Sequence, residues 1–197
     1  MWQAAGQLGI GAAAARPAAQ AGLAEFAAGV RFRHPLVRSA AYRSASARER
    51  QRVHCALAEA TDPQTDPDRR AWHRAQAAQG PDEDVAGELE RSAGRAQARG
   101  GLAATAAFLA HATALTPDPA VRARRALDAA QAKSQADAFA AVLVLLASAE
   151  AGPLSEFQHA RADEYDQPAL TRGRRGIWSQ MRPSSSRPPA FGVRPPR

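Results

Sequence analysis

Cysteine, lysine and aromatic residues are nearly missing from these 197 residues: Cys55 stands alone, Lys133 is the only lysine, and Phe, Trp and Tyr together make up 6%. A single cysteine excludes an intramolecular disulfide and fits a reducing compartment. Few aromatic side chains, set against a 45% hydrophobic content dominated by alanine, disfavour a β-rich core and point to closely packed helices. Long apolar runs are missing too. The best candidate, Ala138 to Ala149, is interrupted by Ser148 and falls short of the roughly 18 residues that a bilayer-spanning helix needs. The opening MWQAAGQLGIG has neither a basic n-region nor a strong apolar h-region, so no secretory signal is visible and a cytoplasmic location is expected.

Several chemistries lack their residues. A P-loop needs G-x-x-x-x-G-K-[ST], whose backbone N–H groups and lysine hold the phosphates. Lys133, in AQAKS, has no glycine before it. Gly9-Ile10-Gly11-Ala12-Ala13-Ala14 fits a loose dinucleotide pattern, yet no apolar strand precedes it, and a helix break is the plainer reading. His34, His54, His73, His111 and His159 are too scattered to make a metal site with Cys55, and four of them, all but His34, read as surface or half-buried imidazoles. Cys55 reads as a small buried hydrophobe and Trp72 as filling a groove between two helices. No G-x-S-x-G elbow or paired carboxylates suggest catalysis, so no catalytic and no metal-ligating residue is assigned.

The net charge of +7 raises nucleic acid as a partner. From Glu164 onward there are seven Arg against Glu164 and Asp166, a net of +5, which leaves +2 on residues 1–163. Near-exclusive use of Arg over Lys is explained as readily by GC-rich coding as by phosphate binding.

What is present is helical punctuation. Residues 1–28 suggest two short Ala-rich helices broken near Gly9-Gly11 and at Arg16-Pro17. Leu23–Phe26 and Val30–Arg33, joined by a small turn, suggest a β-hairpin in which Arg31 and Arg33 share a solvated face. In VRFRHPLVRSAAYR, Pro35 suits a first helical turn, followed by a stripe of Leu36, Val37, Ala40 and Ala41. Ser46-Ala47-Arg48-Glu49 is a capping box, after which Val53, Ala56, Leu57 and Ala60 share a face. Pro63 to Pro67, Gly80-Pro81 and Gly100-Gly101 separate further helices, and Asp82-Glu83-Asp84 complements a helix dipole. Pro117 and Pro153 close two helix pairs 36 positions apart, close to the roughly 34-residue period of tetratricopeptide repeats. Ala96, Ala112, Ala132 and Ala141 are the small residues expected at helix crossings, with Leu109 and Leu145 at corresponding large positions. Phe139, Val142, Leu143 and Leu146 mark one face of the last helix, and Leu143→Ala is expected to cost roughly 2–5 kcal/mol if that face is core.

The fold expected is thus mostly all-α. It comprises a winged-helix-like segment over 1–45 with its hairpin near 23–33, a TPR-like α-solenoid over 46–163, and a disordered Pro/Ser/Arg-rich tail over 164–197.

The phrases FRHPLVRSAAY, SARERQRVHCALAEATDPQTDPDRRAWHRAQAA and GPDEDVAGELERSAGRAQARGGLAATAAFLAHATALTPDPAVRARRAL resemble the middle of large ATP-binding regulators of the LuxR type, in the signal-transducing ATPase class. The likeness runs over about residues 2–163. It implies transcription regulation, with a winged-helix segment and a helical sensor arm that contacts protein partners. It implies that His34 matches a histidine that reaches the phosphates of bound ATP in such regulators. Neither the P-loop module nor the DNA-binding helix-turn-helix of that class is found here, so no cofactor, no enzymatic activity, no membrane contact and no direct DNA binding are expected. A frameshift near codon 163, with Met1 as an internal start in a longer gene, would account for the abrupt change of texture. The competing reading is a small Arg-rich nucleic-acid-binding protein using Arg31, Arg33 and the tail.

Overall fold

The computed structural model describes residues 1–165 apart from Ala28 and Asp137; the tail expected to be disordered lies, from residue 166, outside the described residues. The protein is mostly helical, with one two-stranded antiparallel hairpin among the described residues.

Helix α1 (Trp2–Gln7) ends in a turn at Gly9, whose φ of 71° suits glycine. A 3-10 turn over Ala12–Ala15 runs directly into α2 (Arg16–Gln20). Arg16-Pro17 is therefore not a break: the proline sits in the first turn of α2, where a missing N–H costs nothing. Strands β1 (Ala24–Phe26) and β2 (Val30–Phe32) pair with Glu25 opposite Arg31, and the two side chains form an ion pair at 2.5 Å. Arg31 and Arg33 are both exposed, and Arg31 also reaches Glu25 across the ladder. The Trp2 indole N–H donates to the Ala27 carbonyl at 2.9 Å and its ring lies 6.2 Å from Phe26, which ties α1 to the hairpin.

Helix α3 (Pro35–Ser44) buries no residue; Leu36 is 68% and Tyr42 51% exposed. Its expected stripe is largely exposed, with only Val37 half-buried, because α3 packs along β2 and otherwise reaches α4 through Tyr42. Helix α4 (Ala47–Glu59) begins with the full capping box, Glu49 N–H donating to Ser46 Oγ at 3.2 Å and Ser46 N–H to the Glu49 carboxylate at 2.7 Å. The buried positions of α4 are His54, Ala56 and Ala58, while Val53 is exposed. The face is rotated from the one the apolar count favours because His54 finds a polar partner inside, His73 of the next helix. Cys55 is exposed, not buried.

Asp66, Asp82 and Asp118 cap α5 (Pro67–Ala77), α6 (Glu83–Ala98) and α8 (Pro119–Gln135), each side chain accepting from a backbone N–H three residues on. Between them lies α7 (Leu102–Leu115), and α9 (Phe139–Glu150) follows. From α4 to α9 each helix packs chiefly on its neighbours in sequence, the relation expected of stacked helical hairpins. The Asp82 N–H donates to the Leu115 carbonyl at 2.7 Å and so joins the start of α6 to the end of α7.

Two apolar clusters fill the stack. One joins Ala71 and Ala75 of α5, Val85 and Leu89 of α6, and Ala112 of α7. The other joins Leu127, Ala130, Val142, Leu145 and Leu146 across α8 and α9, with Ala162 from a helical stretch over 156–165. Alanine at the crossings lets backbones approach closely: Ala96, Ala112 and Ala132 are buried, and Ala141 is half-buried. Leu143 and Phe139 are only partly buried against this cluster, so the deep residues of α9 are Val142 and Leu146. Helical order continues through Glu164 and Tyr165, past the boundary expected at 164.

Candidate functional site

His34 is the N-cap of α3. Its extended backbone and exposed ring place Nδ1 3.1 Å from the Leu36 N–H, which donates to it. The imidazole thus satisfies one of the orphan N–H groups that a helix start leaves, a task more often given to Ser, Asp or Asn. It requires the tautomer with its hydrogen on Nε2. Gly9 and Gly11 lie in a turn after a helix, with no strand before them.

The histidines set aside in the sequence prove less solitary. Tyr42 Oη lies 3.4 Å from His54 Nε2, and His54 Nδ1 lies 3.0 Å from His73 Nδ1, linking α3, α4 and α5. Burial, with Arg50 nearby, lowers the pKa of His54; burial, then the charges of His54 and Arg69, push His73 down to about 4 against the opposing pull of Asp66. His111 on α7 stands edge-on to Trp72 at 4.7 Å, and Phe108 packs at 6.1 Å on the same indole, so Trp72 sits between α5 and α7. Among the described residues no cluster of three or more His, Cys, Asp or Glu is placed to hold a metal. His159 is exposed.

A lattice of arginine–carboxylate pairs crosses the stack. Asp68 of α5 receives Arg95 at 2.6 Å and Arg99 at 2.8 Å from α6; Glu88 of α6 receives Arg74 of α5 at 2.5 Å. At its centre Arg125 of α8, 4% exposed, binds Glu83 at 2.8 Å, Glu90 at 2.8 Å and the Thr116 hydroxyl at 2.7 Å. Burial raises the pKa of Glu90, but hydrogen bonds from Arg124 and Arg125 outweigh it and leave the group below its ordinary range. These pairs account for most of the charge lining an open cavity of about 610 Å³ between Arg74, Glu83, Glu88 and Arg125. Its charges neutralise one another and leave little for a ligand.

Elsewhere the charge is uncompensated. Residues 1–53 carry eight Arg against Glu25 and Glu49, a net of +6, and residues 54–163 carry eleven Lys and Arg against fifteen Asp and Glu, a net of −4. The near-neutral total over 1–163 conceals a basic N-terminal part joined to an acidic stack. Both N-terminal carboxylates are engaged, Glu25 by Arg31 and Glu49 by the capping box. Arg48 and Arg52, one turn apart on α4, are exposed and make no ion pair among the described residues. They line two adjoining open cavities of about 530 and 460 Å³ that share Arg48, Gln51 and Gln79.

Comparison with known proteins finds no matching family model, no similar curated protein and no similar solved structure.

Proposed function

We propose that this chain is the winged-helix and helical-repeat portion of a LuxR-type ATP-dependent transcription regulator and that it acts in the cytoplasm, without enzymatic activity, through protein contacts. The observation that carries the reading is the order of elements. A hairpin and a proline-led helix capped by His34 come first, and stacked helical hairpins joined by a chain of ion pairs follow. Such a stack offers a long surface to a partner. No helix among the described residues is long and apolar enough to cross a membrane. In this reading His34 keeps the position of the phosphate contact while capping its own helix.

Sequencing the genomic DNA on both sides of the coding region tests the proposal. The expected result is a P-loop module upstream and further repeat helices with a helix-turn-helix beyond codon 163, in this frame or another. Flanking DNA without either in any frame overturns it. The basic N-terminal part favours one second reading, a nucleic-acid-binding protein. Duplex DNA affinity that falls steeply with salt would support that alternative, since phosphate contacts release counterions.

A further inference from the structure

We propose that the open groove shared by α3, α4 and the end of α5 is a docking site for an acidic, extended peptide segment of a partner protein. The two adjoining cavities form one trough along α4, reaching from Leu8 and Arg52 at one end to Tyr42 and His54 at the other. Arg48, Arg50 and Arg52 line it against a single carboxylate, Glu59. Arg50 is occupied, donating to the Tyr42 and Ala45 carbonyls. Neither Arg48 nor Arg52 makes an ion pair among the described residues, although the charge of Arg52 helps to lower the pKa of Glu49, and an i, i+4 pair of guanidinium groups along one helix face suits carboxylates on one side of a strand.

The rest of the lining suits a main chain. Gln51 donates its amide N–H to the Ala77 carbonyl at 2.8 Å, which leaves its oxygen for a peptide N–H, and Gln79 has both amide functions to offer. Tyr42, half exposed, closes one end of the trough with the edge of its ring. A single-stranded nucleic acid is the less suitable occupant, because Arg50 lies 5.4 Å over the Tyr42 ring and His54 packs edge-on to it at 6.2 Å, so the ring is poorly free to stack a base. This deepens the protein-contact reading by giving the partner's chemistry, and it fails separately, because the flanking DNA says nothing about the groove.

The test is fluorescence anisotropy of the full chain with a labelled octapeptide of alternating Glu and Leu, against its Gln counterpart and a short oligothymidylate. Saturable binding at about 50 mM salt is expected to weaken as salt rises. Arg48→Glu with Arg52→Glu is expected to weaken it at least about tenfold, as loss of two charge-assisted contacts implies. Arg48→Gln with Arg52→Gln repeats the measurement if circular dichroism shows the first variant misfolded. No saturation, equal affinity for the Gln peptide, unchanged affinity in a folded variant, or tighter binding of the oligothymidylate overturns the proposal.

Discussion

His54 and His73 face each other between α4 and α5 with their Nδ1 atoms 3.0 Å apart. One nitrogen must carry a hydrogen and the other accept it, so the contact survives with one proton between the rings and fails when both imidazoles are charged. Both pKa values are lowered in the folded chain, that of His73 to about 4 from an ordinary 6.5. The unfolded chain therefore binds protons first as pH falls. The resulting stability is complete above pH about 6.5 and is lost as pH drops toward 4. Partial solvent screening reduces the worth of the His73 shift to roughly 1–2 kcal/mol. Chemical denaturation at steps from pH 7.5 to 4.5 should show the decline, and a much shallower decline in His73→Gln.

Arg125 anchors α8 to α6. Removing it leaves Glu83 and Glu90 without their shared partner and the buried Thr116 hydroxyl without a donor, so Arg125→Ala should cost roughly 2–4 kcal/mol. Arg125→Lys should recover little of this, since an ammonium cannot bind two carboxylates and a hydroxyl in the same fork. Equal urea midpoints for the wild type and Arg125→Ala would contradict this role.

Leu146 of α9 is buried, 3% exposed, while Leu143 is half-buried. Leu146→Ala should cost roughly 2–5 kcal/mol and Leu143→Ala clearly less, in thermal melts of the two variants.

The start of α4 is legible because it is local: Ser46 bonds an N–H three residues away, so a short window contains the whole interaction, and Asp66, Asp82 and Asp118 cap α5, α6 and α8 by the same local geometry. The buried face of α4 was not legible, because apolar counting selects Val53, whereas burial of His54 depends on His73, 19 residues on. Arg125 was hidden for the same reason: its carboxylates lie 35 and 42 residues away, and only the stacking of one hairpin on the next brings them together. The 35-residue separation lies close to the 36-residue spacing of Pro117 and Pro153, a signal that pairing charges one period apart could have found. The groove is not legible in the net charge, because the +2 of residues 1–163 sums a basic N-terminal part with an acidic stack.

Gly152 marks where the chain leaves α9 close to the start of α8. A methyl group there would sit 2.8 Å from the Pro119 carbonyl oxygen and 3.1 Å from Ala123 Cβ, so the backbones must move apart. Gly152→Ala should destabilise by roughly 1–3 kcal/mol in denaturant titrations, although alanine ordinarily stiffens a chain favourably.

The proposal that the chain works by protein contact and without a nucleotide is tested most directly by equilibrium titration of the purified protein with magnesium-ATP, beside His34→Ala. No saturable binding is predicted for either protein, with His34→Ala losing only the cap of α3, about 0.5–2 kcal/mol of helix stability. Micromolar affinity in the wild type that is lost in His34→Ala would contradict the account.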